Sequence, residues 1–83
     1  LTTVGDVIKN LRKSRDLSQA QLARESDVEL GTLQGYEQNR FIPTLHKVSQ
    51  IERALHVPYG TIIRKLLKEK NHGKTKHEKR KKK

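Results

Sequence analysis

Cysteine is absent from the 83 residues, and with it go disulfide staples and thiolate metal sites. No apolar run approaches the span of a bilayer, and the opening LTTVGDVIKN lacks the basic-then-apolar layout of a secretory signal. The chain therefore reads as soluble and cytoplasmic, with no membrane partner. Strand alternation and internal repeats are also missing. So are a glycine-rich phosphate loop, a nucleophile beside a base, and paired carboxylates, which argues against an enzyme and implies no cofactor. The histidines, His46, His56, His72 and His77, have no acids or cysteines at the spacing that completes a tetrahedral set, so they read as surface residues and no metal is expected.

What is present is helical periodicity and positive charge. Residues 70–83, KNHGKTKHEKRKKK, hold 8 Lys/Arg against the single acid Glu78, whereas residues 1–69 carry 11 basic and 8 acidic side chains. Most of the net charge of +10 therefore sits in the last fourteen residues. An excess of this kind usually meets a polyanion. The tail has no apolar residue and is expected to be disordered. Two units follow, a folded domain at 1–69 and a basic tail at 70–83. About seventy residues make a small core, which dimerisation would help.

Along residues 1–69 the pattern is all-α. Val4, Val7, Ile8 and Leu11 recur at helical spacing, with Thr3 as cap and Asp6 as the capping-box acid, which predicts a first helix over 4–15. Ser18 and Gln21 form the same box before a second helix at 19–26, where Leu22 and Ala23 face inward. Asp27-Val28 is a short turn, and a third helix follows at 29–37, with Leu33 and Tyr36 toward the core and Asn39 as its left-handed stop. Thr44 caps a fourth helix at 45–55 whose stripe is Leu45, Val48, Ile51 and Leu55. Pro58 suits the first turn of a fifth helix, which carries Ile62, Ile63, Leu66 and Leu67 and fades between Lys70 and Gly73. Two short helices joined by so brief a turn, between Leu17 and Pro43, form an arrangement that presents a helix to DNA.

The order IKNLRKSRDLSQAQLA, Val28, Leu33, YEQNRFIP and IERALHV, across residues 4–58, resembles the Cro/C1-type (lambda-repressor-like, XRE) helix-turn-helix regulators. The resemblance implies a five-helix lambda-repressor-like domain whose third helix enters the major groove of double-stranded DNA. Glu29, Leu30, Gly31, Thr32, Gln34 and Gly35 then fall at base-reading positions. Gln19 becomes a phosphate-positioning residue, Arg12 and Glu37 a partly buried ion pair, and Arg40, Lys13, Lys9 or Arg12 candidates for backbone contacts. It further implies a homodimer held through the apolar face of the last helix, and a repressor that binds a palindromic operator on the nucleoid and acts by occlusion. Two other readings share the fold: an antitoxin-type module with a protein partner, and a transcriptional bridging factor with weak DNA specificity.

The expected reading helix departs from the family's pattern at Gly31 and Gly35, where relatives often place hydrogen-bonding side chains. Each glycine costs about 0.8–1 kcal/mol of helix stability relative to alanine. Either they let the backbone approach DNA closely, leaving Thr32 and Leu30 to meet thymine methyls and Gln34 to bond a base or phosphate, or they loosen a helix that reads poorly. Specificity would then lean on DNA shape. Glu29 complements the helix dipole as a surface acid, or accepts from a cytosine amino group. The basic tail is a DNA-backbone arm, an RNA-binding arm or a solubilising end, with DNA favoured because the motif brings it near.

Overall fold

The computed structural model describes residues 2–70, with side chains through Lys68, and places five helices there. These are α1 (Val4–Ser14), α2 (Gln19–Ser26), α3 (Leu30–Glu37), α4 (Leu45–Leu55) and α5 (Thr61–Lys70). The expected disordered tail lies outside the described residues except for Lys70, the last residue of α5. His72 and His77 lie outside them too.

Local chemistry starts most of these helices. The Thr3 hydroxyl accepts from the Asp6 N–H at 3.1 Å while the Asp6 carboxylate accepts from the Thr3 N–H at 3.2 Å, closing a capping box on α1. Ser18 and Gln21 repeat the box on α2 at 3.0 and 2.8 Å. Thr44 accepts from the Lys47 N–H at 3.2 Å and starts α4. Each such cap is worth about 1 kcal/mol. Stops are local as well, because Asp16, Asp27, Asn39 and His56 all turn left-handed, at φ of 57°, 61°, 63° and 60°. Asp and Asn tolerate that region better than most side chains.

Packing then fixes the arrangement. α2 lies on α4, α1 lies on α5, and α3 rests against α1 and α2. Val7, Ile8, Leu22, Ala23, Val28, Leu33, Tyr36, Val48, Ile51, Ala54, Leu55 and Ile62 form one continuous core. Fully burying side chains of the Val, Leu and Ile type contributes about 1.5–3 kcal/mol each. Val28 matters here because it carries the turn between α2 and α3 into that core and holds the two helices at their angle.

Four details differ from the sequence reading. α1 ends at Ser14, with Arg15 as its cap and Asp16 in the left-handed turn after it, and the Arg15 Nε donates to the Leu55 carbonyl at 2.6 Å at the end of α4. α3 begins at Leu30, with Glu29 as a cap residue whose side chain makes no capping bond. Leu45 is 64% exposed and contributes nothing to the core, since the stripe of α4 turns inward only from Val48. Pro58 lies before α5 rather than in its first turn, and its carbonyl accepts from the Thr61 N–H at 3.1 Å. The first turn of α5 is served from α4 instead, where the buried Glu52 carboxylate accepts from the Gly60 N–H at 2.9 Å and the Ile62 N–H at 2.8 Å.

Candidate nucleic-acid interface

The geometry of α3 is set by what grips its inner side. Leu33 and Tyr36, three residues apart, are buried in the core, and Glu37 on the next turn is buried beside them. Burial raises the Tyr36 phenol above its ordinary pKa of 10.0. The structure brings Arg12 and Glu37 together: Nε of Arg12 donates to Glu37 Oε2 at 2.8 Å and a terminal nitrogen donates to Oε1 at 3.0 Å. This bidentate contact ties α1 to the end of α3. The Arg12 guanidinium also donates to the Leu17 carbonyl at 2.8 Å, so it holds the segment leading into α2 as well. Its pKa is raised, first by the hydrogen bond to Glu37 and then by that carboxylate's charge, against the opposing effect of burial.

Arg12 is consequently not free to meet a phosphate, which corrects its place among the backbone-contact candidates. Gln19 is engaged from the same centre. Its Nε2 donates to Glu37 Oε1 at 3.0 Å, and its Oε1 accepts from Gln34 Nε2 at 3.4 Å. The expected phosphate-positioning side chain thus stands in an internal chain, Arg12 to Glu37 to Gln19 to Gln34, which runs from the core to the edge of α3.

A second grip comes from Gly5. A Cβ there would run into the Tyr36 carbonyl oxygen and come within 2.8 Å of Asn39 Oδ1. Only glycine lets α1 lie this close to the end of α3. Thr3 adds a hydrogen bond from its hydroxyl to Asn39 Oδ1 at 2.7 Å.

The outer side is different. Glu29, Leu30 and Gly31 are exposed, and Thr32 and Gln34 are half-buried. Gly31 has open space where a Cβ would stand. Gly35, grouped with them as a reading position, is buried, because the Phe41 ring fills the place its side chain would take. Gly35 therefore offers DNA neither a side chain nor open backbone, and that is a correction to its expected role. Phe41 went unmarked in the sequence, where an aromatic six residues beyond a glycine carries no periodic signal. Arg40 and Lys13 are both exposed, Arg40 beyond the end of α3 and Lys13 near the end of α1.

A helix packed on one side against α1 and α2 and tied to α1 by a bidentate ion pair, with its opposite side open and an exposed Arg40 beyond its end, defines a helix-turn-helix DNA-binding domain. Comparison with known proteins agrees. Residues 8–62 match the helix-turn-helix family, and the chain belongs to it, in its Cro/C1 (lambda-repressor-like, XRE) branch. That family consists of DNA-binding transcriptional regulators rather than enzymes, and this chain is a DNA-binding member of it. The chain is 34% identical over 61 residues to the immunity repressor protein of Bacillus phage phi105, a match that covers 74% of this chain and 42% of that protein. It thus spans less than half the length of this curated relative. Among solved structures it is similar to a tyrosine-to-alanine variant of the restriction-modification controller protein C.Esp1396I, with a TM-score of 0.76, 27% identity, and coverage of 84% of this chain and 91% of that one. Among the described residues no helix is long and apolar enough to cross a membrane.

Proposed function

We propose that this protein is a sequence-specific transcriptional repressor that acts in the cytoplasm on nucleoid DNA, binding a palindromic operator as a homodimer and excluding polymerase by occupancy. The observation that carries the reading is the pairing of a firmly held α3 with an outer side on which Glu29, Leu30 and Gly31 are exposed and Thr32 and Gln34 are half-buried. Rigidity matters because a reading helix must arrive with its side chains already placed. The Arg12–Glu37–Gln19 network supplies that placement, and Gln19, which gives one of its two amide N–H groups to Glu37, keeps the other for a phosphate.

The base-facing set is Glu29, Leu30, Gly31, Thr32 and Gln34, and the exposed cations Arg40 and Lys13 are the ones assigned to backbone phosphates. Phosphate contacts set register and affinity without carrying sequence information. The outward N–H groups at the start of α2 add an anion site of the kind helix N-termini provide. The dimer rests on α5. Ile62 is consumed by the core, Ile63 and Leu66 are half-buried, and Leu67 is 49% exposed, so an apolar strip remains for a second copy. A two-fold pair would set two α3 helices about 34–36 Å apart, one turn of DNA.

Selection of bound duplexes from a random library at two salt concentrations tests the whole reading. A palindromic consensus with half-sites one turn apart is the expected result. Uniform, salt-sensitive retention of all sequences would refute sequence-specific repression, and a single unpaired half-site would refute the dimer.

A further inference from the structure

We propose that Phe41 is a specificity-determining DNA contact, a ring carried by the loop after α3 that takes the reading position Gly35 leaves empty and meets the C5-methyl group of a thymine. The proposal rests on the DNA-binding reading above and names a residue which that reading did not include.

Gly31 and Gly35 each lie two residues from Leu33, about 200° around the helix at 100° per residue, so both stand on the side of α3 opposite the core. They are also four residues apart, one above the other on that side. Their surroundings should match, yet Gly31 is exposed with nothing within 4 Å of its missing Cβ while Gly35 is buried. What buries Gly35 is the Phe41 ring. The backbone sets the ring there. After the left-handed turn at Asn39, the N–H groups of Arg40 and Phe41 both donate to the Gly35 carbonyl, at 2.8 and 3.3 Å, which folds the chain back over the helix it has just left. The Arg40 guanidinium lies 5.7 Å from the ring centroid, within cation–π range.

Phe41 is not a core residue. It belongs to none of the core cluster, sits on the far side of α3 from it, and leaves half its surface, 50%, in solvent. An aromatic ring carried on a backbone that is tied by two hydrogen bonds to the Gly35 carbonyl, with the Arg40 guanidinium near it, is an apolar surface on the outer side of the reading helix. In the major groove the apolar feature of a base pair is the thymine methyl, and a ring without donors or acceptors can select nothing else there. Gly35 is then a seat for the reading group rather than a gap in the reading face, and Arg40, near the ring, is the cation for the adjacent phosphate.

The test uses the full chain and the duplex it selects. Each thymine of the consensus is replaced singly by deoxyuridine, which removes only the methyl, and dissociation constants are measured at one salt concentration. For the unaltered protein one position should weaken binding about fourfold, the equivalent of one buried methyl at about 0.8 kcal/mol. Phe41→Ala should melt at the same temperature and lose that sensitivity at that position alone, the two changes being non-additive as contacting groups are. Gly35→Ala, which must push the ring away, should lose it likewise and serves where Phe41→Ala alters the fold. Undiminished deoxyuridine sensitivity in both variants would overturn the proposal while leaving the DNA-binding reading intact. So would a halving of molecular mass in Phe41→Ala, which would assign the ring to contact between copies. If the unaltered protein selects no duplex at all, the sequence-specific reading and this proposal fall together.

Discussion

On its inner side α3 is held by Leu33 and Tyr36 in the core, by two hydrogen bonds from Arg12 to Glu37, and by a glycine that lets α1 touch its last carbonyls. On its outer side it presents Gly31 to open space and covers Gly35 with a ring borrowed from the next loop. The same eight residues thus carry a dense structural face and a sparse chemical one. The contrast teaches that glycine serves opposite ends in one domain. Gly5 is required by a backbone a side chain would strike, Gly35 by a ring that can move, and Gly31 by nothing among the described residues.

The largest effect expected from breaking this contrast is at Glu37. Glu37→Ala leaves the Arg12 guanidinium buried without its carboxylate and removes the acceptor for Gln19, so the domain should lose about 3–5 kcal/mol, most of what a chain this size possesses. Thermal melts read it directly, and a variant melting within a few degrees of the unaltered protein would show that the pair is ornamental. The pair's own net value is smaller than this loss, because desolvation of both charges opposes their attraction.

Next comes Gly5→Ala. The added methyl meets a backbone carbonyl rather than a mobile side chain, so α1 and α3 must separate, at a cost of about 1–3 kcal/mol. Urea titration should show a lower midpoint with an unchanged slope.

The smallest effect has the opposite sign. Gly31→Ala adds a methyl into open space and should stabilise the domain by about 0.8–1 kcal/mol through helix propensity alone. If Gly31 serves close approach to DNA, the same variant should bind its operator more weakly while melting at a higher temperature. A tighter-binding, more stable Gly31→Ala would show that the position is merely loose, and would sharpen the assignment of reading to Thr32, Gln34 and Phe41.

Much of the frame was legible in the residues. The Thr3/Asp6 and Ser18/Gln21 boxes, the Thr44 cap and the left-handed Asn39 all depend on neighbours within three or four positions, and such spacing is visible in a linear chain. The helix-turn-helix spacing, confirmed by the family match over residues 8–62, was visible for the same reason. The misjudged positions are those where a distant residue intervenes. Leu45 has the right spacing for the core but no partner among the described residues to cover it, and Pro58 yields the start of α5 to a carboxylate from α4.

By itself, then, the sequence determined where helices begin and stop, which faces are apolar, and that the chain carries a reading helix in a basic context, because capping, periodicity and charge are properties of short stretches and of composition. Only the tertiary structure decided what each polar or glycine residue of that helix is for. Arg12 is claimed by Glu37, which also takes one N–H of Gln19, Gly35 is claimed by Phe41 and Gly31 is left open, since a side chain's role depends on which groups reach it in space, and those groups come from α1, from α2 and from the loop beyond α3.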